Sequence, residues 1–108
     1  MVFLTMVSHP TPISDLPSAG LTCHTTSAIL KALTQSHEDG CDVVNLSLGG
    51  TSGWSENPKN IQQQTINAMA ERGQIVVIAA GNEGEDGSWY AASPAGADSA
   101  ITVANVQA

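Results

Sequence analysis

Residues 75–84 read Ile75-Val76-Val77-Ile78-Ala79-Ala80-Gly81-Asn82-Glu83-Gly84. Six apolar residues run without alternation and stop at Gly81. A short, unalternating, β-branched run of this kind predicts a strand covered on both faces, as in a parallel sheet. Upstream, Asp42-Val43-Val44-Asn45-Leu46-Ser47 predicts a second buried strand, stopped by Gly49-Gly50. The interval from Val43 to Ile75 suits a βαβ unit, which takes about 30 residues or more.

The intervening helix is expected to be capped by Asn57, with Pro58 at its first position and Ile61, Thr65, Ile66 and Met69 on one face. Gly73 is expected to end it. An earlier helix is expected to be capped by Thr26 or Ser27, to carry an apolar stripe of Ile29 and Leu33 with Ala28 and Ala32, and to end at Gly40. A last short strand is expected over Ile101 to Val106, after a loop rich in Gly, Ser, Ala and acid. The predicted order is α-β-α-β-β in an open parallel sheet. Ligands of such sheets bind at the carboxyl ends of the strands. Attention therefore falls on Ser47, Leu48, Gly49 and Gly50 and on Gly81, Asn82, Glu83 and Gly84.

Residues 1–25 read differently. Pro10, Pro12 and Pro17 lie among Ser, Thr and Gly20, so this stretch is expected to be irregular or extended. The domain proper is expected over 26–108.

Composition narrows the function. The 108 residues are 42% hydrophobic and only 12% charged, with a formal net charge of -7. The low charge fits a secreted chain or, the reading favoured here, an interior piece whose surface is covered by neighbouring structure. Lys31, Lys59 and Arg72 are scattered and cannot make a nucleic-acid footprint. An acidic membrane surface would repel the chain. No run of about 18 apolar residues offers a membrane span, and Met1 to Val7 lacks the basic flank of a signal peptide. Cys23 and Cys41 are too few for a zinc site or a disulfide scaffold; they either form one bridge or remain thiols.

Two strand ends carry the chemistry. After Ala79, Ala80 and Gly81, Asn82 offers a neutral amide with two N–H donors. A neutral donor fixed there can hold an oxyanion in acyl transfer without losing a proton to it. Taken alone, the local pattern fits a left-handed turn residue better. Ser47-Leu48-Gly49-Gly50 would expose backbone groups to which an extended peptide can pair, or is a plain strand stop.

Taken in order, DVVNLSLGG at 42–50, IVVIAAGNEG at 75–84, Ala91-Ala92-Ser93-Pro94-Ala95 and ITVANV at 101–106 resemble the core of the subtilisin-like serine proteases, the subtilases. The resemblance runs from Thr26 to Val106. The SGWSENP and ASPAGADSAITVA stretches look closest to secreted fungal members. The resemblance implies an α/β fold, here a partial three-layer subtilisin-like fold with a parallel sheet flanked by helices. It implies that Ser47, Leu48, Gly49 and Gly50 form one wall of the substrate cleft and Ala79, Ala80 and Gly81 the other. It makes Asn82 the side-chain donor of the oxyanion hole. It implies an extracellular parent enzyme acting on peptides or proteins.

The family's Asp, His-Gly-Thr and Gly-Thr-Ser motifs are not found. His9, His24 and His37 are none of them followed by Gly. By chain order the segment corresponds to the stretch between the His and Ser motifs, so the chain alone is expected to be inactive. A non-catalytic, peptide-binding pseudo-protease or a truncated gene product is the alternative. The family's strand beside Val43 to Ser47 has no counterpart in residues 1–25, so that sheet edge is expected to be exposed and prone to self-association.

Several features read as structural. Glu83, Glu85, Asp86 and Asp98 form a solvated acidic stretch; calcium would suit such oxygens, and the family often binds it, but no family site maps onto these residues. No cofactor is expected. The Gly81, Gly84, Gly87 series matches no phosphate loop and carries repelling acids. The sequon Asn45-Leu46-Ser47 lies inside a predicted strand and is expected to stay unmodified. His37-Glu38-Asp39 reads as a solvated helix end. Cys23 and His24 are adjacent without a sign of activation. Trp54, Trp89 and Tyr90 fall in loops.

Overall fold

The computed structural model describes residues 4–7, 25–50, 60–82 and 91–105. The elements in order are β1 (Leu4–Val7), α1 (Thr26–Glu38), β2 (Val43–Leu46), α2 (Ile61–Glu71), β3 (Ile75–Ala79) and β4 (Ile101–Val103). They build one sheet ordered β1-β2-β3-β4. Strands β2, β3 and β4 are parallel, with Leu46 opposite Ile78 and Ala79 opposite Val103. The architecture is α/β, with helices packed on a parallel sheet as the sequence predicts.

Strand β1 departs from the expectation of irregular chain over 1–25. Leu4–Val7 pair antiparallel with β2, Leu4 opposite Leu46 and Val7 opposite Val43. The β2 edge is thus occupied rather than exposed. The outer edges of the sheet belong to β1 and β4.

Both helices are capped by residues other than the expected ones. Thr25 caps α1, its Oγ1 accepting the Ala28 N–H at 3.3 Å. Asn60 caps α2, its Oδ1 accepting the N–H groups of Gln62 and Gln63 at 3.0 and 3.3 Å. Asn57 and Pro58 lie outside the described residues. The helix ends agree with the sequence reading: Gly40 and Gly73 follow the last turns in left-handed backbone, at φ +72 and +90.

The core lies on one face of the sheet. Val44, Leu46, Val76 and Ile78 meet Leu33 of α1 and Ile66 and Met69 of α2, and Ala95 and Ala97 close the cluster from the segment after β3. Burying each large aliphatic side chain contributes about 1.5–3 kcal/mol. Thr102 Oγ1 donates to the Ala95 carbonyl at 2.6 Å and the Ser99 N–H donates to Asn67 Oδ1 at 3.0 Å, tying that segment to β4 and α2.

The opposite face differs from the expectation that β3 is covered on both sides. Side chains alternate across a strand, and Val43, Ile75, Val77, Ile101 and Val103 all point away from the helices. Ile75 is 48% exposed, Ile101 55% and Val103 56%. Among the described residues, α1 and α2 both contribute to the core on the other face, so the partial fold presents two of its layers here. Asn45 shares this half-open face, and its Nδ2 donates to Ser47 Oγ at 3.2 Å. The sequon asparagine is therefore partly exposed rather than buried. No helix among the described residues is long and apolar enough to cross a membrane.

Candidate functional site

Parallel pairing brings two chain turns to one edge of the sheet. Leu46 and Ile78 are register partners, so Ser47 and Ala79 start out side by side. A cavity of about 380 Å³ opens there, lined by Ser47, Leu48, Gly49, Ala79, Ala80, Gly81, Asn82, Val103 and Asn105. Seven of these come from the two strand ends singled out by sequence. Val103 and Asn105 were not singled out. The available signal was topological: a third parallel strand ends at the same edge as its neighbour.

Gly81 has φ +101, a left-handed conformation that favours glycine. The turn it permits puts the exposed Asn82 at the rim of the cavity. Asn82 also takes part in an interaction within the chain. Leu48 is partly buried and packs against the core, which holds the 47–49 segment to the sheet.

Gly50 behaves otherwise. Its N–H donates to the Ser93 carbonyl and its carbonyl accepts the Ser93 N–H, both at 3.0 Å. The expectation that Gly50 offers its backbone to a peptide is thereby corrected: an antiparallel bridge within the chain already uses both groups. Ala80 is similarly engaged. Its N–H donates to the Val103 carbonyl at 2.9 Å, and its carbonyl accepts the Ala92 N–H at 2.8 Å. Consecutive residues Ala92 and Ser93 thus fasten one wall each. A Cβ on Gly49 would lie 2.6 Å from the Ala92 Cβ, so this glycine permits a close approach. The Ser93–Pro94 peptide bond is cis, and Pro94 is among the fully buried residues.

Other singled-out groups stay apart from the cavity lining. His37, Glu38 and Asp39 are exposed at the end of α1, where the Gln35 Nε2 donates to Asp39 Oδ1 at 3.0 Å. Cys41 carries a free thiol. Burial raises its pKa, and the carboxylates of Asp39 and Asp42 raise it further by opposing the thiolate. Among the described residues no three His, Cys, Asp or Glu side chains group as a metal site. His9, Cys23, His24, Trp54, Glu83, Glu85, Asp86, Gly84, Gly87, Trp89 and Tyr90 lie outside the described residues.

Two adjacent parallel strand ends of this composition, closed by a Ser-Pro segment, define a subtilisin-like α/β core. The chain belongs to the subtilase family: the sequence model of Peptidase S8, the Subtilase family, matches residues 16–108. It is 39% identical over 83 residues to subtilisin DY of Bacillus licheniformis, covering 76% of this chain and 28% of that protein. It is 38% identical over 81 residues to thermitase of Thermoactinomyces vulgaris, covering 75% of this chain and 26% of that protein. It is 34% identical over 94 residues to subtilisin-like protease 1 of Pseudogymnoascus destructans, covering 87% of this chain and 21% of that protein. Bacterial and fungal relatives match at comparable identity. The chain spans about a quarter of the length of these curated relatives.

Proposed function

We propose that this chain is the substrate-cleft segment of a subtilisin-like serine endopeptidase. The observation that carries this reading is the shared cavity between residues 47–49 and 79–82 at the carboxyl edge of adjacent parallel strands. An extended peptide would pair with the backbone of Ser47 to Gly49, with Ala79, Ala80 and Gly81 as the facing wall. Gly50 supports the wall from behind through Ser93. Asn82 would donate its side-chain N–H to the oxyanion that forms on the attacked carbonyl. Its neutrality matters, because a cationic donor could surrender its proton to that oxygen.

Peptide hydrolysis also needs a nucleophile, a base and an orienting acid. The family's motifs for these three are not among the 108 residues. The chain by itself is therefore read as binding peptides without cleaving them, and the parent as an extracellular enzyme. That same observation favours a second reading, a truncated pseudo-protease that docks peptides without cleaving them. Transcripts that carry Asp-, His- and Ser-motifs in frame on either side of this segment decide for the protease.

Titration of the chain with an uncleaved extended tetrapeptide tests the cleft directly. Amide shifts are expected at Ser47, Leu48, Gly49, Gly81 and Asn82. Shifts confined to other regions sink the reading. Turnover of a chromogenic peptide that a serine-directed inhibitor abolishes would overturn the inactivity of the isolated chain.

A further inference from the structure

The cap of α2 also has a long-range partner. Asn60 uses its oxygen for the Gln62 and Gln63 N–H groups, and its Nδ2 donates to Ser93 Oγ at 2.7 Å. Ser93 in turn holds both backbone groups of Gly50 at 3.0 Å, while its neighbour Ala92 holds the Ala80 carbonyl at 2.8 Å. A continuous path therefore runs from the first turn of α2 through one hydroxyl to the two walls of the cavity. Both Asn60 and Ser93 are only partly exposed, which shields the bond between them from competition by water.

We propose that Asn60 and Ser93 form a strut that sets the separation of the cleft walls, making them positioning residues for the bound peptide. Neither lines the cavity. Their effect passes through Gly50, which fixes the end of the 47–49 wall, and through Ala92, which abuts Gly49. Helix α2 is anchored in the core by Ile66 and Met69, each at most 2% exposed, so the strut refers the wall to a rigid element. Capping alone needs only the oxygen of residue 60. The nitrogen serves the strut.

That division of labour makes the roles separable. Asn60→Ser keeps a capping oxygen but is too short to reach Ser93. Ser93→Ala leaves the cap intact. Each variant is expected to speed hydrogen exchange at the Gly50 and Ser93 amides by roughly threefold to tenfold, the consequence of losing one neutral hydrogen bond. Amides inside α2, from Ile66 to Ala70, should be unmoved. The double variant should show no more than either single change. Asn60→Asp should behave as the wild type, because its carboxylate caps the helix and accepts the Ser93 hydroxyl proton. Unchanged exchange at Gly50, fully additive effects, or faster exchange confined to α2 would overturn the strut.

The consequence for peptide rests on the cleft reading above: both single variants should weaken the tetrapeptide by a similar factor. Wild-type chain that binds no peptide, with exchange behaving as expected, would sink the cleft reading while upholding the strut.

Discussion

Leu46 and Ile78 sit opposite each other in adjacent parallel strands, 1% and 0% exposed, and the cleft begins one residue beyond each. The same pair that locks the sheet to the helices therefore sets where the two walls emerge. A shift of one residue in that register would turn the core side chains of β2 or β3 toward the open face. Burial of Leu46 and Ile78 is thus what keeps Ser47 beside Ala79.

Strand β3 offers a direct test of the one-sided core. Ile78→Ala should cost about 2–5 kcal/mol, since it removes a fully buried side chain and leaves a cavity. Ile75→Ala, at a position 48% exposed, should cost under about 1 kcal/mol, in proportion to the smaller apolar area it removes from water. Urea midpoints of the two variants make the comparison. Equal losses would show that the second face is packed as tightly as the first.

Gly49 and Gly50 should respond oppositely to a methyl group. Gly49→Ala would press a Cβ to 2.6 Å from Ala92, and overpacking of this sort costs about 1–3 kcal/mol. Gly50→Ala meets nothing within 4 Å and should stay within about 0.5 kcal/mol of the wild type. Comparable stability of both variants in denaturant would contradict the close approach of the 47–50 and 91–93 segments.

In an enzyme that joins this segment to a complete triad, Asn82→Leu should lower kcat by about 10²–10³ with little change in KM. That magnitude was measured in a subtilisin for its side-chain oxyanion donor. Steady-state kinetics on a chromogenic peptide read the split. A rise in KM at unchanged kcat would instead make Asn82 a ground-state binding group.

Cys41 should resist alkylation. With its pKa held above the ordinary thiol value by burial and then by Asp39 and Asp42, little thiolate forms at mildly alkaline pH. The folded chain keeps the proton to higher pH than the unfolded chain, so stability is intact below the unfolded thiol pKa and declines as pH rises through the folded one. In a Cys23→Ser background, iodoacetamide should react more slowly than with free cysteine, and Asp39→Asn with Asp42→Asn should recover part of the rate. Reaction as fast as free cysteine would refute the raised pKa.

The open face and the β4 edge should make the chain self-associate. Ile101→Thr with Val103→Thr keeps strand propensity and removes apolar surface. Sedimentation should show concentration-dependent association of the wild type and less of it in the double variant. A wild type that stays monomeric at its highest soluble concentration would count against this surface as an association site.

Local chemistry made much of the fold legible. The apolar runs at Val43–Leu46 and Ile75–Ala79 mark themselves as strands by length and branching, and Gly40 and Gly73 mark helix ends by their left-handed backbone. Gly81 and Asn82 are readable as a strand end followed by a polar turn. Strand β1 was not readable, because a few apolar residues beside prolines become a strand only when β2 offers an unpaired edge. The cap of α2 differs from the local expectation for a similar reason: Asn57-Pro58 has the better local pattern, while Asn60 has a tertiary partner.

Short-range chemistry already names the residues of the two strand ends, since strand propensity, glycine stops and apolar patterning act over a few neighbouring positions. That Ser93 occupies Gly50, that Asn60 braces Ser93 and that one sheet face stays open emerge only in the folded chain. Those depend on contacts between distant positions, such as the Asn60–Ser93 bond across 33 residues of chain, and no local rule records which distant groups will meet.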